Sequence, residues 1–545
     1  MRGKGCSESR KAATRFDPAK EGIAMRVEKL MVTHHGALKA KYGSRFSAIR
    51  KALAALVASD KTRGLVTRVV SLDDATALRR AGGMAFDKAT DERKAKAAID
   101  ALYTHYAPDY LVLVGAQDVV PHIGLENPMN TNRSRLDDDD DATVPSDLPY
   151  ACDAAFSRLA SHFLGPTRVI GRLPDLPGAS DSRYLERLLA IAARHRSRTR
   201  ADYESCFALS ARVWVDSTEL SVSNLFGPDA KVRTSPDAGP NFSNAQLAPR
   251  VHFINCHGDT LSPTFFGEGP PERYFDAHRS KRLRKRVTEG SVVAAECCYG
   301  AELYDPADAA GNPGICTTYL EEGAYGFFGS TTIAYGPSEG NGQADLVCQF
   351  FVDAVMKGAS LGRAALEARQ RFIAQYSHHD PSDLKTIAQF ILLGDPSIHP
   401  VREQSHAFAR SKALARGKQS GIVVPSARAF RRERIMRTGN NLAKTVGAAV
   451  PVSSRPPMAV QTFLLKAARE SGIKRPRIES WTVKFPAESG ARVSADIRAS
   501  RRARSMHAVI GTTGSEIPGV GRSVLAIIAT LEGRKIVHVR RVHSR

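Results

Sequence analysis

No stretch of the 545-residue chain reaches the run of about 18 apolar residues that a membrane-crossing helix needs, so no membrane span is expected. Residues 1–20 are basic and polar, without the apolar core of a secretory leader. Cysteine is sparse: eight residues, no Cys-x-x-Cys pair and no repeated spacing. That pattern excludes a disulfide framework and a four-ligand zinc module, and it points to reduced thiols in the cytoplasm. Two other signatures are missing. Gly511-Thr512-Thr513-Gly514 and Gly519-Val520-Gly521 lack the Gly-Lys-Ser/Thr ending of a P-loop, and no Gly-x-Ser-x-Gly elbow is present to carry serine acyl chemistry.

What is present is apolar enough, at 42%, to fill a core, and the length suggests more than one domain. Charge is uneven. Residues 403–545 hold 28 lysines and arginines against 8 acidic residues, so they carry most of the overall +22. A field of that sign attracts an acidic protein or nucleic acid as partner, and equally describes a solvated surface.

Strand and helix patterns alternate from residue 27 onward. Strands are read at 28–33, 64–72, 111–114, 168–172 and 206–215, with amphipathic helices at 46–58, 90–106 and 182–196. Alternation at this spacing implies right-handed crossovers and a parallel sheet. The polar residues 217–249 read as a long loop.

Two short apolar runs then stop at reactive side chains. Val251-His252-Phe253-Ile254-Asn255 leads into Cys256-His257-Gly258-Asp259, and Val292-Val293-Ala294-Ala295-Glu296 leads into Cys297-Cys298-Tyr299-Gly300. In parallel α/β sheets, chemistry gathers beyond the carboxyl ends of such strands, so an imidazole and a thiol would share one rim. A cysteine nucleophile with a histidine partner needs that arrangement.

A strand ending in His-Gly, followed about 40 residues later by a strand ending in Cys-x-x-Gly, resembles the caspase-like cysteine peptidases. Further blocks are similar to the gingipain-like branch: Tyr110 to Pro121 with its Val114-Gly115 and Asp118, Ser146-Asp147 with Tyr150, Gly171-Arg172 with Pro174, and Gly394-Asp395-Pro396-Ser397. The likeness runs from about residue 27 to 402. It implies an α/β caspase-like sheet flanked by helices, followed here by a small basic α+β domain.

The expected organisation is a flexible segment at 1–26, an α/β subdomain at 27–250, a catalytic subdomain at 251–402, a basic linker at 403–457 and the basic domain at 458–545. The expected activity is that of a cysteine endopeptidase working on polypeptides through a thioester acyl-enzyme. The alternative is a silent scaffold of the same fold whose basic C-terminal domain binds an acidic protein or nucleic acid.

The resemblance gives His257 the proton-transfer role and the backbone N–H groups of Gly258 and the cysteine itself the oxyanion. Cys-x-x-Gly spacing selects Cys297 as nucleophile; the caspase spacing would select Cys298. Because strand neighbours point to opposite faces, only one of them should face His257. The resemblance also puts Ser330, Thr331 and Tyr335 near the substrate. Asp216 is read as an ordinary strand-end residue, the alternative being a group that orients His257. The resemblance would bring calcium to the acidic residues 137–141, yet they lack a defined ligand spacing and read as a solvated loop; no cofactor or metal is expected.

Overall fold

In this computed structural model the described residues are 26–130, 139, 141–269, 273–337, 339–402, 427–474, 476–486, 504–517 and 521–545. Residues 1–25 of the expected N-terminal segment, and residues 491–497, whose alternation also reads as a strand, lie outside them. Among the described residues no helix is long and apolar enough to cross a membrane.

Charge-free, β-branched runs become the strands of a ten-stranded sheet. Its order is Thr67–Ser71, Lys29–Thr33, Tyr110–Val114, Ile170–Leu173, Phe390–Gly394, Gly326–Ser330, Val292–Ala295, Val251–Asn255, Cys206–Ala211, Val232–Ser235. Each set of five is parallel within itself, and the two sets meet antiparallel where Phe390–Gly394 pairs with Gly326–Ser330. The expected parallel sheet is therefore mixed at one seam. Each set draws strands from both sides of residue 250, because the closing strand returns to the N-terminal set. Lys29 explains its seat: this buried lysine is paired with Asp395 of the closing turn and, at 2.9 Å, with Asp60.

The expected loop at 217–249 contains the helix Val215–Phe226, the strand Val232–Ser235 and the helix Asn244–Leu247. Ser217, Thr218, Ser221 and Ser235 are buried rather than solvated. Ser217 and Thr218 donate to the Trp214 carbonyl at 3.1 and 2.9 Å, so hydroxyls that look loop-like in sequence serve the first helical turn.

The C-terminal residues form a seven-stranded sheet in the order Tyr335–Pro337, Lys535–Ser544, Gly521–Glu532, Arg504–Ile517, Arg477–Lys484, Gly447–Pro451, His378–His379. Both of its edge strands come from the first 402 residues. Alternation decides what each face covers. Met506, Ala508, Ile510, Val524, Ala526 and Ile528 join the main core, while Val509, Leu525, Ile527 and Ala529 pack against the helix Met458–Glu470 through Val460, Leu464 and Ala468. The expected linker holds the helix Ala427–Thr445 and the strand Gly447–Pro451.

Several arginines of the basic region find acids in the first unit. Arg540 pairs with Asp380 and Asp383 at 2.7 and 2.9 Å, Arg434 with Glu367 at 3.4 Å, and Arg545 with Asp345 at 2.8 Å.

Candidate active site

The strands Val251–Asn255 and Val292–Ala295 are parallel neighbours, so His257 and the paired cysteines emerge at one edge. A hairpin, Thr264–Gly269 with Arg273–Arg279, folds over that edge. His257 exchanges both main-chain hydrogen bonds with Phe266, at 2.9 and 2.8 Å, which fixes its backbone. Two residues on, Glu268 accepts from His257 Nε2 at 2.7 Å. That contact leaves Nδ1 as the ring nitrogen for proton exchange with a substrate. The imidazole lies between the rings of Trp214 and Tyr274, with centroids 4.3 and 4.6 Å away. Burial lowers its pKa and the Glu268 carboxylate opposes that, so the ring is neutral at neutral pH and poised as a base.

Glu268 was not legible as a site residue, since it comes from a polar, glycine-containing stretch that reads as a turn. Trp214 was equally hidden, in the 3₁₀ turn Arg212–Trp214 that ends the strand Cys206–Ala211 four residues before the expected Val215. Asp216 is an exposed residue of the following helix and plays no part at His257.

The two cysteines diverge as strand alternation requires. Cys297 continues the row of Val293 and Ala295 and is 0% exposed. Its sulfur accepts the Cys256 N–H at 3.4 Å and lies 3.8 Å from the Ile254 carbonyl, against the neighbouring strand. Burial raises its pKa well above the ordinary thiol value. The structure thus turns the Cys297 sulfur away from the place that Cys-x-x-Gly spacing gave it. Cys298 points the other way, in the row of Glu296. Its sulfur accepts the Ala334 N–H at 3.3 Å, and its own N–H donates to the Arg545 carbonyl oxygen at 3.3 Å. Burial pushes this thiol up to about 12, against the pull of the Ala334 backbone, the Lys385 charge and the Arg545 backbone. No hydrogen bond joins His257 to either sulfur among the described residues.

Gly258 is required by close approach: a methyl group there would stand 1.8 Å from the Cys298 carbonyl oxygen. Its freedom from a side chain lets the His257 turn and the cysteine turn pack backbone to backbone.

Arg545 fills the space between them. Its Nη2 donates to both Asp345 oxygens, at 2.8 and 2.9 Å, and its guanidinium lies 4.7 Å over the Trp214 ring. A second acid, Glu296, adjoins the pair, and burial beside Asp345 pushes its carboxyl well above the usual range. Gly336 makes room, because a methyl there would fall 1.9 Å from Arg545 Nη2.

The side chains of the other residues named from sequence bond within the fold. Ser330 donates to the Cys297 and Thr332 carbonyls at 3.1 and 2.8 Å, and Thr331 to the Pro145 carbonyl at 2.7 Å. The Tyr335 hydroxyl donates to Asp139 at 2.8 Å, while its backbone pairs with Ser544. Asp139 and Asp141, expected in a solvated loop, hold the buried Lys385 ammonium at 2.6 and 3.1 Å. Burial raises Asp139 to about 6. With that cation built into the chain, these two carboxylates do not fit a calcium cage, and no three-residue metal cluster occurs among the described residues.

Among solved structures, one titled a protease matches over 95% of this chain and 97% of its own, at 12% identity and a TM-score of 0.44. The separase–securin complex of Saccharomyces cerevisiae matches over 42% of this chain and 14% of its own, at 14% identity and a TM-score of 0.27. None of the curated proteins matches. The profile of peptidase family C25 covers residues 26–401, well over half of the sequence, and the chain belongs to that family, the gingipain branch of the caspase-like peptidases.

Proposed function

We propose that the chain is a cysteine endopeptidase in which Cys298, rather than Cys297, attacks the peptide bond and His257 moves the proton. The observation that carries this reading is the seating of Arg545. Its carbonyl oxygen accepts the Cys298 N–H, and its guanidinium lies over the Trp214 ring that also packs on His257. A substrate residue in the same position has its carbonyl oxygen on the Cys298 N–H, where an oxyanion donor is needed. Gly258 is the proposed second oxyanion donor.

The thiol proton passes to His257 as sulfur bonds to the carbonyl carbon; the carbon–nitrogen bond breaks and the leaving amine takes the proton back. Water, deprotonated by the same ring, then hydrolyses the thioester. Glu268 holds the ring and stabilises its charged form. Asp345, Glu296 and the Trp214 face suit a basic side chain before the cut. The described cysteines are all free, which fits the cytoplasmic setting proposed from their spacing.

A cleft filled by the chain itself is also what a silent scaffold would present. Prolonged digestion of a peptide library separates the two. New amino termini following basic residues, lost in Cys298→Ala and kept in Cys297→Ala, are expected; no cleavage by any form would leave the scaffold.

A further inference from the structure

The last residues of the sequence lie in the cleft as a peptide ligand would. Val542–Ser544 run antiparallel to the edge strand Tyr335–Pro337, in the register Tyr335 with Ser544, Gly336 with His543 and Pro337 with Val542. Adding a strand to an open edge is a general way to recognise extended peptides: backbone bonds hold the chain and side-chain pockets choose it. Both parts are present. The Arg545 N–H donates to the Ala334 carbonyl at 2.9 Å, continuing the ladder, and the guanidinium enters the Asp345 pocket.

We propose that residues 542–545 are a built-in competitive inhibitor, which occupies the substrate cleft and must leave before a polypeptide can enter. This inference rests on the peptidase reading given above. Three further features fit a blocking segment better than a permanent part of the core. Arg545 is 1% exposed, yet its Nε and Nη1 have no hydrogen-bond partner among the described residues, so the pocket holds the side chain by one nitrogen only. The strand Lys535–Ser544 has its other edge on Gly521–Glu532, and Arg540 is anchored separately on Asp380 and Asp383. Release of the final four residues gives up the pairs of Val542 with Ala526 and of His543 with Leu525, and leaves the second sheet the ladder from Arg541 backward and that ion pair. Finally, the Cys298 amide is occupied by Arg545 itself and the residue is 3% exposed, so the segment sits where a polypeptide would have to reach this cysteine.

The full chain, Arg545→Glu and Gly336→Ala test this together, with melting curves recorded for each. Arg545→Glu faces Asp345 and Glu296 with a like charge; Gly336→Ala puts a methyl where the guanidinium lies and leaves the tail sequence intact. Alkylation of Cys298 by iodoacetamide, mapped by mass spectrometry, reports opening without any need for turnover. Hydrolysis of a fluorogenic arginyl peptide reports the chemistry.

Losing one partner of a buried ion pair shifts occupancy by about 100-fold or more, and Cys298 alkylation in both variants should accelerate by that order, while hydrolysis of the arginyl peptide rises in Arg545→Glu alone, because the Gly336→Ala methyl excludes a substrate arginine as it does Arg545. Equal alkylation rates in the full chain and a folded variant would overturn the inference, whatever the hydrolysis shows. Fast alkylation without hydrolysis would keep the inhibitor and remove the peptidase reading. Should Arg545→Glu fail to fold, Gly336→Ala decides alone, and slow labelling in it counts against the proposal.

Discussion

Two buried arginines, Arg172 and Arg545, occupy similar surroundings and differ in how completely they are held. Arg172 is 0% exposed and sits beside a histidine and an acid: it bonds Asp147 through Nε at 3.0 Å and through Nη2, and His122 Nδ1 donates to the same carboxylate at 2.9 Å. Its Nη1 donates to the Gly115 and Val120 carbonyls at 2.8 and 2.7 Å. All three of its nitrogens are engaged, and Asp147 is held far below the usual carboxylate range by Arg172 and His122 despite burial. Arg545 also lies near a histidine and on an acid, but only Nη2 is engaged. Full satisfaction marks a fixed structural member of the fold; partial satisfaction beside a thiol marks a group that another can replace.

The largest expected effect concerns the thiol that Arg545 covers. In the Arg545→Glu background, Cys298→Ala should lower kcat/KM by about 10⁴-fold or more, as loss of a nucleophile does, whereas Cys297→Ala should stay within about tenfold. Equal losses would erase the distinction between the two strand rows. Next in size is stability. Arg172→Ala leaves Asp147 buried without its cation and should cost about 3–5 kcal/mol in denaturant unfolding. Arg545→Ala opens its pocket to water and should cost less than about half as much, so similar costs would make the second arginine as structural as the first.

How far this contrast was readable in the sequence differs by feature. His257 was visible because an apolar strand ends on His-Gly, and the strands at 28–33 and 111–114 were visible because nothing polar interrupts them. The same alternation is legible in the C-terminal stretches 480–485, 506–510, 524–530 and 535–542. Their pairing with Tyr335–Pro337 and His378–His379 was not, because an edge strand of two or three residues has no period to detect. The Cys297 and Cys298 ambiguity had a physical answer that motif spacing could not supply: where the strand ends sets which side chain is in register with Glu296. Glu268, Lys385 with Asp139, and Arg545 with Asp345 join residues 11 to 246 positions apart in sequence. Such pairings follow from tertiary contact alone.

Smaller effects sharpen the role of the second site. Glu268→Gln should reduce kcat/KM by about 10²-fold. It should also move the acid limb of the pH profile downward, because the carboxylate raises the His257 pKa and its loss removes that support. An unchanged limb would make Glu268 a packing residue only.

The smallest effect is a pH dependence of tail docking. Burial lowers His543 to about 4, with Arg545, Arg541 and His257 acting in the same direction and Glu268 against them. Released into water it regains a value of about 6.5, so the free tail binds the proton more tightly. Docking is therefore favoured above that value and weakens as pH falls from about 6.5 toward 4. Alkylation of Cys298, corrected for the intrinsic pH dependence of a model thiol, should rise over that window, and His543→Gln should flatten the rise.

The most direct measurement is the site of covalent capture. Arg545→Glu treated with an arginyl peptide bearing a thiol-reactive electrophile, then digested and sequenced by mass spectrometry, should carry the adduct on Cys298, and His257→Ala should slow its formation sharply. An adduct on Cys297, or slow labelling spread over many cysteines and indifferent to His257, would contradict a nucleophile and base facing each other across the Arg545 seat.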